Sequence, residues 1–177
     1  MERRSRPEGM SDLEWLVALE EIRQLHARRD RYIDAHDFDA YEALHAPDHV
    51  SHHAPDPKSE VEARPWRSAA EMMENVRKIM SEQKPITIHH AYDPEIVFET
   101  PTKARGLWAM TAASVFRDKE GKPGWEISYG YYDETFEKRD GRWLFTSRRW
   151  QRYLGTGSDG VVFPLEPVPG KGGADPR

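Results

Sequence analysis

The fold class this sequence predicts is α+β, with helices gathered on one face of a strongly curved, mixed or antiparallel sheet. Three observations predict it. Helix-type periodicity lies before residue 84, everything from about residue 86 to 153 alternates in strand fashion, and turn chemistry in RDKEGKPG and KRDGR parts the strand runs. Helices first and a meander afterwards is the order of an α+β domain, unlike the alternating strands and helices of a doubly wound sheet.

In chain order, residues 1–10 (MERRSRPEGM) are basic and polar and are expected to be disordered. Ser11 then caps a helix, with Glu14 in the capping-box position. The helix runs to about Ala35 and sets Trp15, Leu19, Ile22, Leu25 and Ile33 on one stripe. His26 and Arg29 interrupt that stripe, and a buried arginine requires a partner or a ligand. DFDAYEALHAPD predicts a second, short helix that Pro47 helps to end, and SAAEMMENVRKIMSEQ a third that stops before Pro85. Strands follow at about 86–92, 95–100, 104–117, 125–138 and 142–153. Several exceed the common length of about five to six residues, which suits strong curvature. The Pro/Gly-rich tail contains an apolar island at Val161, Val162, Phe163 and Leu165. A plain linker has no use for such an island; a docked arm or lid does. The expected organisation is a disordered start over 1–10, one domain over 11–154 and an arm or lid over 155–177.

A composition of 37 % hydrophobic and 32 % charged residues is that of a globular chain, and a net charge of −5 argues against nucleic acid and anionic membranes as partners. Phosphate-bearing cofactors find no obvious cradle. The absence of cysteine removes disulfides, thiolate nucleophiles and cysteine-ligated metals. The start has no apolar run of the kind a signal peptide or membrane span needs, so a cytoplasmic protein is the simplest expectation.

KPITIHHAYDPEIVFE sets His89 and His90 side by side in a strand-like run, so the two imidazoles face opposite ways. His89 shares its face with Thr87 and Ala91, His90 with Ile86, Ile88 and Tyr92. Periodicity alone leaves open which face borders a cavity.

The helix pair IRQLHARRDRYIDAHDFDAYEALHAPD, the strands TIHHAYDPEIVFE and the hairpin YYDETFEKRDGRWLFTSRRW, in that order, resemble the SnoaL-like family of the nuclear-transport-factor-type superfamily. That family includes scytalone dehydratase, bile-acid 7α-dehydratase and hexachlorocyclohexane dehydrochlorinase. The resemblance spans roughly residues 12–165, and the YLGTGSDGVVFPLEPVPG tail is similar in character to the carboxy-terminal arm of the dehydrochlorinase. It implies a cone-shaped α+β barrel around a hydrophobic pocket. It further implies a hydrogen-bonded dyad of an Asp near the end of the first helix and a His on the first long strand, which fall on Asp34 and His89, with His89 as base. Arg148 in WLFTSR matches the family's arginine on the last strand, and Arg29 stands where the family often carries Tyr or Lys.

A histidine held by a carboxylate is fixed in tautomer and made a better proton acceptor. The resemblance thus implies a cofactor-independent lyase of the dehydratase type acting on a hydrophobic small molecule. An isomerase or cyclase would begin with the same proton abstraction. A non-catalytic small subunit of a ring-hydroxylating dioxygenase and a ligand-binding protein without turnover are the readings from other classes. Arg29 on the apolar stripe and Arg148, expected on the strand face of Leu144 and Trp150, are candidates for stabilising developing charge, with a structural ion pair as the alternative for each. His26, His53, Trp108, Tyr129, Tyr131 and Trp150 are candidate substrate contacts, although core or dimer packing accounts for the tyrosines equally well. The run His45, His49, His52 and His53 is the one candidate metal cluster. Pro47 and the divergence of His52 from His53 argue against convergence, so no metal site is assigned. A homodimer or homotrimer associated through the sheet is expected.

Overall fold

The computed structural model describes residues 6–52, 64–83, 85–117, 120–158 and 160–162. Its elements are α1 (Asp12–Asp34), α2 (Phe38–Glu42), β1 (His45–His52), α3 (Ala69–Gln83), β2 (Ile86–Thr100), β3 (Lys103–Arg117), β4 (Pro123–Arg139), β5 (Arg142–Gly157) and β6 (Gly160–Val162). α1 begins at the expected cap: Ser11 Oγ accepts from the Glu14 amide at 3.2 Å, and the Glu14 carboxylate accepts from the Ser11 amide at 2.7 Å. Such a cap stabilises a helix by about 1 kcal/mol.

The sheet is mixed and open, in the order β1-β5-β4-β3-β2, and together with the helices it makes an α+β cone fold. β2 to β5 form an antiparallel meander, whereas β1 lies parallel to β5. The β4–β5 hairpin turns on Asp140 (φ 50°) and Gly141 (φ 77°), the two positive-φ positions that an Asp-Gly pair supplies. One core cluster joins Ile22 and Leu25 of α1 to Trp108, Phe136, Trp143 and Phe145 of the sheet, with Met10 at its edge. A second joins Ile33, Tyr41, Met72 and Met73 and seats α3.

Three expectations are corrected. The second helix ends at Glu42, and His45–His52 is a strand. Pro47 does not forbid it, because the β1–β5 register breaks between His45 and Val50, where no ladder amide is demanded. The runs at 86–92 and 95–100 are one strand with a bulge: Tyr92 opposes Ala109 and Glu95 opposes Leu107, so three steps on β2 match two on β3, with Asp93 at φ 45°. The bulge changes which residues face inward, from Thr87, His89 and Ala91 before it to Ile96 and Phe98 after it. On β5, Phe145 pairs with Phe136 and Ser147 with Thr135, so Thr146 is extra. Arg148 therefore lies on the buried side with Phe145 rather than on the face of Leu144. β5 itself runs on to Gly157, and Gly155 to Gly157 pair with β6. Phe163 and Leu165 of the apolar island lie outside the described residues.

Candidate active site

The last residue of α1 meets the first half of β2. Asp34 Oδ1 accepts from His89 Nδ1 at 2.6 Å and from Thr87 Oγ1 at 2.8 Å, while its Oδ2 accepts from the His89 amide at 2.8 Å. The dense acceptance has an electrostatic consequence. Burial pushes the Asp34 carboxyl up, but the bonds from His89 and Thr87 outweigh it and hold the group below the usual carboxylate value. An ionised Asp34 can only accept, so Nδ1 carries the ring proton and Nε2 is the basic nitrogen. No hydrogen bond engages Nε2 among the described residues.

His89 borders a cavity of about 330 Å³ between the concave sheet face, α1 and α3. α3 supplies Met72, Val76, Ile79 and Met80, a helical stripe at three- and four-residue spacing, and Trp66, Trp150 and Ala112 extend the apolar wall. Polar groups of the lining besides His89 include Arg29, Arg148, Tyr132, Ser51, Ser128 and Glu126. Glu126 accepts from Arg152 at 2.5 Å and from Ser128 at 2.8 Å. An apolar chamber with a small set of convergent polar groups is the form of a small-molecule site.

Beneath the cavity lies a buried charge network. Arg29 donates to Asp30 Oδ1 at 3.0 Å and to the Tyr41 hydroxyl at 2.7 Å. Arg148 lies 3.6 Å over the Tyr132 ring, with Nε 3.5 Å from Glu134 Oε1. His26 sets Nε2 3.2 Å from Glu134 Oε2 and Nδ1 3.5 Å from Asp30 Oδ2. Burial opposes charge on His26, but Glu134 and Asp30 overcome it and raise its pKa to about 9.

A second line of polar groups comes from β1. His49 Nδ1 lies 3.2 Å from the Phe145 carbonyl and Nε2 2.9 Å from Ser51 Oγ. A carbonyl only accepts, so Nδ1 holds the proton, Nε2 is bare and the Ser51 hydroxyl donates to it. Ser51 thereby offers the cavity lone pairs and no proton. Burial lowers His49 to about 4 and His45 well below its usual value, so both are neutral core rings at pH 7.

Of the expected site residues, Asp34, His89, Arg29, Arg148 and Trp150 come together at the cavity. His26 and Trp108 do not border it; they pack ring against ring, 4.2 Å apart, in the core beneath. Tyr129 and Tyr131 point the other way, 41 % and 40 % exposed, because they occupy the alternate positions of β4. His53 lies outside the described residues. Sequence reasoning missed Ser51, since β1 had not been recognised, and Glu134. The latter left a signal: it falls between Tyr132 and Phe136 at strand spacing, a charge on an aromatic face, as Arg29 is on α1.

A bent sheet with helices over a largely apolar chamber is the architecture of the cone-fold class. The SnoaL-like domain matches residues 15–149, and the chain belongs to that family. Among solved structures it is similar to a putative scytalone dehydratase from Novosphingobium aromaticivorans at 22 % identity and TM-score 0.72, covering 90 % of this chain and 98 % of that one. It is also similar to a type 2 hexachlorocyclohexane dehydrochlorinase (17 %, TM-score 0.71, 87 % and 97 % covered). The type 3 dehydrochlorinase from Novosphingobium barchaimii is a further likeness (16 %, TM-score 0.69, 88 % and 100 % covered). At these identities the likeness concerns the fold. Among the described residues no helix is long and apolar enough to cross a membrane.

Proposed function

We propose that the protein is a cofactor-independent lyase that eliminates water, or another leaving group, from a hydrophobic small molecule. The observation that carries this reading is the 2.6 Å bond from His89 Nδ1 to Asp34 at the cavity wall, which leaves Nε2 as a positioned base. Nε2 takes a proton from carbon, the C–H electron pair becomes the new C=C bond, and the leaving group departs with the electrons of its own bond. The imidazolium so formed is stabilised by Asp34 and can return its proton to a departing hydroxide. Arg29 and Arg148, both bordering the cavity, stabilise negative charge as it develops. Dehydratase and dehydrochlorinase neighbours of the same fold support the reaction class.

The test is a panel of β-hydroxyketones incubated in D₂O, read by mass spectrometry for loss of water and for deuterium at the carbon next to the carbonyl. Wild type should give both and His89→Ala neither. Equal rates for the two proteins would overturn the proposal. Association of copies through the outer sheet face belongs to the same reading, supported by the exposed Ile88, Tyr92, Trp125, Tyr129 and Tyr131 there.

A further inference from the structure

Ser51 and His49 form a buried polar pair at the end of the cavity away from the dyad. β1, which carries them, is one outer strand of the main sheet path, and β2, which carries His89, is the other. Ser51 is 5 % exposed and borders the cavity, and its backbone is fixed by two hydrogen bonds with Trp66, at 2.9 and 3.0 Å. Its side chain is fixed as well. His49 Nδ1 donates to the Phe145 carbonyl, so the Ser51 hydroxyl gives its one proton to His49 Nε2 at 2.9 Å. Among the described residues no group donates to Ser51 Oγ, and its lone pairs are left over.

A ring nitrogen in this core does not require such a partner. His45, its ring centroid 4.7 Å from that of His49, donates from Nδ1 to the Tyr41 carbonyl at 2.8 Å. Its Nε2 is buried with no hydrogen bond among the described residues, and His45 does not border the cavity. The serine is thus supplied where β1 meets the cavity and not where it meets the core. Nor does the pair suit nucleophilic catalysis, although a hydroxyl, an imidazole and an orienting carbonyl stand in line. Burial, aided by the charge of Arg29, lowers His49 to about 4, too weak a base to take the Ser51 proton.

We infer that Ser51 positions the substrate by accepting a hydrogen bond from a neutral hydroxyl or N–H group at the end of an apolar ligand away from His89, and that His49 sets this polarity. This rests on the elimination reading of the same cavity and gives the ligand a direction, its acidic C–H toward β2 and its donor toward β1. A serine free to rotate would serve donor and acceptor equally. Held by His49, Ser51 disfavours a carbonyl or ether oxygen at this place, because lone pairs would face lone pairs in a desolvated site. The donor is neutral because Arg148 is the β5 residue paired with Ser51 and also borders the cavity, so that an ammonium would meet a like charge.

The experiment compares 2-naphthol, 4-hydroxybiphenyl and indole with 2-methoxynaphthalene, 4-methoxybiphenyl and 1-methylindole, by calorimetry and ligand-observed NMR on the full chain. At least one donor should bind about five- to a hundredfold tighter than its methylated partner, the range for filling a buried acceptor against leaving it empty. Ser51→Ala, which leaves His49 Nε2 as bare as His45 Nε2, should abolish that ratio, and Ser51→Thr should keep it. His49→Phe frees the hydroxyl to rotate and should lower the ratio by strengthening the methylated ligand, a change that mere loosening of the core would not produce. If no donor outbinds its methylated partner, or if the ratio survives Ser51→Ala, the inference falls. Ser51-dependent acetylation by 4-nitrophenyl acetate would also overturn it, by making Ser51 a nucleophile. The ratio should persist in His89→Ala; loss there with survival in Ser51→Ala would put the donor on the base and sink this inference alone. A Ser51-dependent ratio beside turnover indifferent to His89→Ala sinks the elimination reading alone.

Discussion

The sheet has a hollow on each side, and the larger one carries the weaker chemistry. The outer hollow, about 790 Å³, is lined by Tyr92, Tyr129, Tyr131 and Tyr153 and by a salt bridge in which Arg105 meets both oxygens of Asp133 at 2.8 and 2.6 Å. Its charges are paired and wet. The inner cavity, less than half that size, has the Asp34–His89 bond on its wall and a buried charge network beneath it. The same strands build both, because successive side chains alternate: His89 in and His90 out, Glu134 in and Asp133 out. Volume is therefore a poor guide to a reactive site; desolvated charge held against an apolar wall is the better one.

That contrast can be broken most directly by rate. His89→Ala should lower turnover by about 10²–10⁴-fold, as expected for loss of a positioned base. Asp34→Asn should also be severe, and the double variant little worse than His89→Ala, since the two act as one unit. Tyr131→Ala on the outer face should leave turnover near wild type. A rate loss with Tyr131→Ala that matches His89→Ala would put the chemistry on the wrong side of the sheet.

Stability sharpens the same contrast between neighbours on β4. Glu134→Ala strips His26 and Arg148 of a fully buried partner and should lower unfolding free energy by about 3–5 kcal/mol in urea titration. Asp133→Ala, one residue away on the wetter face, should lower it by about 1 kcal/mol or less. Equal losses would mean that the inner network is not electrostatically distinct.

The pH dependence of melting separates the buried histidines. His26, with burial opposing and Glu134 and Asp30 favouring charge, is raised from 6.5 to about 9. Its contribution is complete below about pH 6.5 and is lost as pH rises through 9. His49 is lowered by burial from 6.5 to about 4, so its contribution is complete above about pH 6.5 and is lost as pH falls through 4. Melting temperature should therefore peak near pH 6.5, with His26→Gln flattening the alkaline limb and His49→Gln the acid limb. A flat profile from pH 4 to 9 would contradict both assignments.

The smallest effect belongs to His90→Ala. Its ring is exposed and stacks loosely on Tyr92, 6.1 Å between centroids, so unfolding free energy should move by less than about 0.5 kcal/mol and turnover not at all. Abolished turnover here would reverse the two faces of β2.

What could be known from the sequence was what local periodicity and local turn chemistry control. Ser11 and Glu14 start α1, the stripe from Ile22 to Ile33 turns it toward the core, Asp140-Gly141 closes the hairpin, and alternation along β2 separates His89 from His90. The choice of His89 needed the family resemblance, because both faces of that run were compatible with a cavity. Tertiary structure alone decided the rest. β1 exists because β5, about a hundred residues later, offers it a parallel edge, a pairing that a Pro-containing run cannot announce by itself. The bulges at Asp93 and Thr146 change strand parity, and the second of them turns Arg148 inward, which no period-two count can foresee. Glu134 became intelligible only when His26 and Arg148 converged on it from α1 and β5, since a buried charge is defined by partners distant in sequence and not by its neighbours along the chain.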